Sequence, residues 1–240
     1  MSGESSIFSR STVDDLRAAT AEARCAGSAI AAELAHCEAV QRAVELIGHG
    51  DAAAGSEILR ETMRQTREPR LLFLAFQYFF RSGDLDLAEE ATRRRLSVVG
   101  EGSADAARAW TNLGLIYFFK KEYALAEEMH QRACEIDRAN GDVRGLARDL
   151  GNWAMIPEAR QEWARAEKMY LEALELAERA KARDVMATKL ANLGQMYEVM
   201  GRREEAVGFT LRALELFKEL GEAKYAAECE SLLRKLKAES

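Results

Sequence analysis

Three stretches of the chain align with one another without a gap at a spacing of 40 residues. They are Ala109–Tyr117 with Tyr123–Glu127, Asp149–Pro157 with Trp163–Glu167, and Lys189–Tyr197 with Arg203–Val207. Small residues keep the same step: Ala126, Ala166 and Ala206, then Ala133, Ala173 and Ala213. A sequence that recurs at such a period builds copies of one supersecondary unit, and each copy leaves an apolar flank that only a neighbour can cover. The units therefore have to stack.

Each unit reads as a pair of helices. Trp110, Leu113, Gly114 and Tyr117 fall at i, i+3, i+4 and i+7, the stripe of an amphipathic helix. After a Lys120-Lys121-Glu122 turn a second stripe runs through Leu125, Ala126, Met129, Ala133 and Ile136. Gly114 or Gly194 on the first helix and Ala126 or Ala206 on the second let the two backbones approach closely.

These residues resemble the tetratricopeptide repeat family, whose W-x-x-L-G-x-x-Y…A…A skeleton is met by Trp110, Leu113, Gly114, Tyr117, Ala126 and Ala133. Leu190, Leu193, Gly194, Tyr197, Ala206 and Ala213 meet it again, and Leu150, Trp153, Ala154, Ala166, Tyr170 and Ala173 more loosely. Two features depart from the family: the period exceeds its usual ~34 residues, and Arg138, Glu178 and Lys218 replace its closing proline. Longer helices and the Asn-Leu-Gly signature make the likeness nearest to the long-period branch, which includes kinesin light chains and spindle-orienting G-protein modulator adaptors. The resemblance implies an all-α fold, a right-handed α-solenoid of antiparallel helix pairs with end caps.

Upstream the pattern weakens. Arg70–Phe80, a Ser82-Gly83-Asp84 turn and Leu85–Ala91 give another pair, with an apolar first helix whose Leu71–Phe80 stretch reads as core. Ser28–Ile47 and Asp51–Thr66, broken at Gly48-His49-Gly50, suggest one more. Ser11–Asp14 looks like an N-cap for a helix reaching about Cys25, and Glu222–Lys237 reads as a terminal helix. The expected organisation is a helical segment over 1–68, a divergent repeat over 69–102, three 40-residue repeats over 103–221 and a cap over 222–240.

Asn112, Asn152 and Asn192 occupy one position in the three repeats, where the packing stripe requires nothing polar. Helical spacing puts Arg108, Asn112, Leu115 and Phe119 on one face, then Arg148, Asn152, Met155 and Ala159, then Thr188, Asn192, Gln195 and Val199. The resemblance implies that this face lines a concave groove. An Asn amide both donates and accepts, so it can hold a peptide backbone whatever the ligand's side chains. Arg108 and Arg148 can grip carboxylates, and Leu115, Phe119 and Met155 offer apolar contact. The preferred expectation is a non-enzymatic scaffold that binds a peptide or helix of a partner protein. Alternatives stay open: structural Asn residues, a sensor or assembly chaperone in which residues 1–68 cover the groove, a small-molecule or enzymatic pocket beside Pro157 and Glu158, and a homo-oligomer. Pro157 replaces the family's Tyr inside a helix, so a kink or early end is expected there.

Composition narrows the classes. With 34 Lys+Arg against 40 Asp+Glu, the net charge of −6 has the wrong sign for nucleic acid. The four cysteines have irregular spacing, so neither a disulfide framework nor a metal cluster is indicated, and a reducing cytoplasm fits. The longest apolar run, Leu71–Phe76, is too short to span a bilayer, and the N-terminus lacks the apolar segment of a secretion signal. No phosphate-binding glycine loop, nucleophile with a partner or metal-spaced histidine pair is present, so no cofactor is expected. Arg93-Arg94-Arg95 reads as a solvated outer face, and His130 as a packing position.

Overall fold

The computed structural model describes residues 31–238. The chain divides into two compact units, residues 1–101 and 102–240. The helix expected over 11–25, and that part of a groove cover preceding residue 31, lie outside the described residues. Among the described residues every regular element is a helix.

In the first unit α1 (Ala31–Gly48) packs on α2 (Ala52–Gln65), and α3 (Pro69–Ser82) on α4 (Leu85–Val98). Asp51 and Asp84 cap α2 and α4 by accepting from the backbone N–H of Ala54 and Leu87, which satisfies donors a helix start leaves orphaned. Leu71, Leu72, Phe76, Tyr78 and Phe79 are buried, in keeping with a core role for the aromatic run. The expected solvated arginine face needs correction. Arg93 does reach out to Glu89, but Arg94 donates to the Arg64 carbonyl at 2.6 Å, and Arg95 is buried with its guanidinium 5.0 Å from the Phe73 ring. A planar guanidinium on an apolar stem can stack on an aromatic face, which charge counting along a helix does not register.

The second unit contains α5 (Ala104–Phe119), α6 (Tyr123–Asn140), α7 (Val143–Trp153), the single turn α8 (Met155–Ala159), α9 (Trp163–Arg179), α10 (Arg183–Val199), α11 (Arg203–Glu219) and α12 (Ala223–Ala238). Its joints are as periodic as its sequence. Lys121, Gly141, Gln161, Lys181, Gly201 and Gly221 all have left-handed backbones, with φ between 53° and 71° for the first five and 75° for the last. In each case the next N–H closes back on a carbonyl in the preceding helix: Glu122 on Tyr117, Asp142 on Asp137, Glu162 on Pro157, Ala182 on Ala177, Arg202 on Tyr197 and Glu222 on Phe217, at 2.8–2.9 Å. This C-terminal closure reverses the chain at each of these six joints and consumes the carbonyls that would otherwise be orphaned.

Close approach within each hairpin is enforced by shape. A Cβ on Gly114 would strike the His130 ring, and one on Gly194 would strike Thr210 Oγ1. His130, Tyr170 and Thr210 step by one repeat, so the small partner and the side chain it admits are inherited together; Ala154 stands in the corresponding place opposite Tyr170. Ala126, Ala133, Ala166, Ala173, Ala206 and Ala213 are fully buried. The terminal α12 holds the register of a further first helix, buries Ala226, Cys229, Leu233 and Leu236, and leaves Lys224, Glu228 and Arg234 exposed.

Pro157 does interrupt its helix. It has no N–H to give the Trp153 carbonyl, and α7 stops at Trp153 before restarting as the one-turn α8. Pro157 itself is buried, and the break brings the Glu158 side chain to the edge of a cavity.

Candidate functional site

Two cavities lie along the first-helix face of the second unit. One, of about 360 Å³, is bounded by Phe118, Met155, Glu158, Trp163 and Tyr170, with Asn192 and Gln195 on its far wall. The other, of about 220 Å³, is bounded by Thr188, Thr210, Phe217, Tyr225 and Glu228, again with Asn192 and Gln195. α10 thus forms a ridge that serves both.

The side chains around Asn192 are already organised. The Tyr170 hydroxyl donates to Glu158 Oε2 at 2.5 Å, and the Asn192 side chain is hydrogen-bonded to the same tyrosine. Burial pushes the Glu158 carboxyl above its usual range, and the Tyr170 hydrogen bond opposes that shift. Burial, then the adjacent Glu158 carboxylate, raises the Tyr170 phenol.

The other asparagines are placed differently. Asn152 accepts at 3.0 Å from Nζ of Lys189, a lysine only 1% exposed whose stem lies against Gly151. Asn112 is half-buried, with Nδ2 enclosed and without an acceptor. The structure therefore gathers Met155, Thr188, Asn192 and Gln195 around cavities, while Asn152 belongs to a buried polar cluster behind them. Arg148 belongs to that cluster too, bonded to Asp149 Oδ1 at 2.7 Å and 3.9 Å from Asp137 Oδ2. Arg108 is exposed and paired with Asp105 at 3.0 Å, Leu115 is half-buried, and exposed Phe119 meets Phe118 edge-on at 5.4 Å.

The cluster has unusual acid–base character. Burial holds His130 down at about 3, with the Lys189 charge adding to the effect, so its ring is neutral at physiological pH. Burial likewise pulls Lys189 down to about 8, against the attraction of Asp149. Asp137 is raised by burial and then by neighbouring Asp149, and the Cys134 thiol is pushed up to about 12 by burial first and Asp149 second. Groups so placed fix the spacing of α6, α7 and α10, and hence the wall on which Asn152 sits. Glutamates on the second helices tie successive hairpins together: Glu127 accepts from Arg165 at 2.6 Å and Arg160 at 3.3 Å, and one period later Glu167 accepts from Tyr197 at 2.6 Å and Arg202 at 3.3 Å.

Sequence reasoning missed Trp163 and Tyr170 as site residues, because both sit on the second helix. A signal existed. Tyr170 occupies the slot taken by His130 and Thr210, so a polar atom recurs where packing alone asks for a hydrocarbon. The buried Lys189 was also missed; it stands where the other repeats have Ala109 and Asp149. Among the described residues no group of three or more His, Cys, Asp or Glu is placed to hold a metal ion, and no helix is long and apolar enough to cross a membrane.

These features define a class: an all-α repeat protein built of helical hairpins. Family models described as tetratricopeptide repeat match residues 107–140 and 190–224. Those two stretches of the chain are tetratricopeptide repeats. No curated protein matches the sequence. Among solved structures, aspartyl phosphate phosphatase F from Bacillus subtilis is similar with a TM-score of 0.71 and 12% identity over 85% of this chain. This chain spans 56% of that phosphatase. A Rap protein complexed with Competence and Sporulation Factor gives a TM-score of 0.63 at 15% identity, covering 95% of this chain and 76% of the other. A signal transduction ATPase with a tetratricopeptide repeat sensor from Pyrococcus horikoshii gives 0.65 at 15% identity, covering 93% of this chain and 35% of that one. At these identities the likeness is one of fold.

Proposed function

We propose that the chain is a non-enzymatic interaction protein that holds an extended peptide segment of a partner protein along the first-helix face of its second unit. The observation that carries this reading is the pair of adjoining cavities that share Asn192 and Gln195. Amides on a ridge between two apolar-walled hollows suit an extended strand, because its backbone needs donors and acceptors while its alternate side chains need pockets. A Rap protein of similar fold is complexed with a separate factor, Competence and Sporulation Factor, which makes capture of a separate partner a reasonable mode for this chain. The groups with unusual acid–base character are bonded to one another or enclosed, which suits a scaffold better than turnover.

The test is a display library of unstructured peptides selected on the purified chain, with affinities of the selected sequences measured by fluorescence anisotropy. Asn192→Ala is expected to weaken selected peptides about tenfold, the worth of a lost hydrogen bond of ~1.4 kcal/mol, while leaving the helical circular-dichroism signal in place. A chain that selects no peptide, or one indifferent to Asn192→Ala, refutes the reading. A second reading rests on the 360 Å³ hollow itself, which is large enough for a small molecule. Thermal-shift screening of metabolites against the wild type and Trp163→Ala distinguishes the two.

A further inference from the structure

We propose that the hollow bounded by Glu158, Trp163 and Phe118 is a specificity pocket for a basic side chain, lysine or arginine, of the bound peptide. This rests on the peptide reading and adds to it the ligand chemistry at one position.

Charge is the first ground. Glu158 is the one charged residue among those bounding the cavity. Glutamates nearby have cationic partners: Glu127 has Arg160 and Arg165, Glu162 has Arg165, Glu167 has Arg202, Glu178 has Arg212 and Glu198 has Lys235. Among the described residues Glu158 instead has only a neutral hydroxyl, from Tyr170, which leaves its second carboxylate oxygen for a ligand. A half-buried carboxylate without a cation is costly in the empty protein and is relieved when a ligand supplies one.

The walls are the second ground. Phe118, Trp163 and Met155 surround the carboxylate with hydrocarbon and aromatic faces. Such a lining accepts the methylene stem of lysine or arginine, and an indole face attracts its charged end. An acidic or short polar side chain gains from neither. The adjoining cavity repeats the pattern, with Glu228 as its charged residue and the stacked Phe217 and Tyr225 rings, 5.2 Å apart, beside it.

Proton linkage gives a third handle. The titratable group facing Glu158 is Tyr170; the cavity's other walls, from α5, α8, α9 and α10, present uncharged side chains. Because burial raises the Glu158 carboxyl, arrival of a cation must favour its ionised form and release a proton. Affinity for a basic peptide therefore rises with pH through that titration, and affinity for its uncharged counterpart does not.

The experiment uses a positional library of acetylated, amidated hexapeptides on the full chain and on Glu158→Gln, whose amide oxygen still accepts from Tyr170. The expected result is enrichment of lysine or arginine at one fixed position, a loss of about tenfold in affinity when that residue becomes norleucine, and disappearance of both the preference and its pH dependence in Glu158→Gln. Peptide binding without a basic preference, or a preference that survives in Glu158→Gln, overturns the pocket while the peptide reading stands. Failure of both proteins to bind any hexapeptide overturns the peptide reading and the pocket with it.

Discussion

Lys189 offers the sharpest test of how the second unit is held together. Its ammonium is sealed between α7 and α10, with one hydrogen bond to Asn152 and its stem against Gly151. Burial holds its titration at about 8, well below the 10.5 of an ordinary lysine. The sign follows from proton counting. Between pH 8 and 10.5 the unfolded lysine keeps its proton and the folded one has lost it, so the unfolded state binds more protons and stability rises with pH. At roughly 1.4 kcal/mol per pH unit, the gap between the two values is worth about 3 kcal/mol. Lys189→Met keeps an unbranched stem of similar volume and removes the titration. Urea denaturation followed by circular dichroism at pH 7, 8, 9 and 10 in both proteins reads the term as their difference, in which titrating groups remote from Lys189 cancel. Wild type should gain on the variant steadily above pH 8, by about 2–3 kcal/mol by pH 10. Stability curves that run parallel across that range would show that the ammonium is hydrated and that the cluster is not sealed.

Three further outcomes follow from the same geometry. Lys121, Gln161 and Lys181 sit in left-handed backbones at φ 63°, 60° and 53°; each substitution by Gly should stabilise by about 0.5–1 kcal/mol, read as a higher urea midpoint, because the strain of a Cβ there exceeds the entropy glycine adds to the unfolded chain. Gly114→Ala drives a methyl into the His130 ring and should cost about 1–3 kcal/mol, with much of the loss recovered in a Gly114→Ala/His130→Ser double variant. The asparagines should part company: Asn152→Ala strips the buried Lys189 of its acceptor and should cost about 1–3 kcal/mol, whereas Asn192→Ala should cost less than about 1 kcal/mol and act on binding instead.

What the sequence made legible was whatever repeats. Periodic apolar residues and small residues at 40-residue intervals were sufficient for the helix pairs, the close hairpins opposite Gly114 and Gly194, and the break at Pro157, because each of these depends on local sterics. The site was only partly legible. Asn112, Asn152 and Asn192 are equivalent in sequence, yet one meets Lys189, one lies near two cavities and one is enclosed, since what an amide touches depends on the neighbouring repeat. Arg95 was misread for the same reason. Its helix position suggested solvent, and its actual partner, Phe73, comes from another helix.

The cavity lies where the repeat is least faithful, and that has a physical rationale. Identical units offer identical faces, so an extended ligand on a perfectly periodic groove gains nearly as much after slipping by one unit, and register is poorly specified. One irregular unit removes the degeneracy, because a side chain that fits its hollow has no equivalent place to go. Pro157 supplies the irregularity, ending α7 early and bringing Glu158 beside Tyr170 and Trp163. Pro157→Tyr restores the residue type found at Tyr117 and Tyr197, and on the peptide reading it should return the middle hairpin to the pattern of its neighbours and dissolve the hollow. A selected peptide with a spin label at one end should broaden one compact set of amide resonances in the wild-type protein. In Pro157→Tyr the broadening should be weaker and spread over more than one repeat. A single, unmoved set in the variant would show that register is fixed elsewhere, with the proline break a tolerated flaw in the helix.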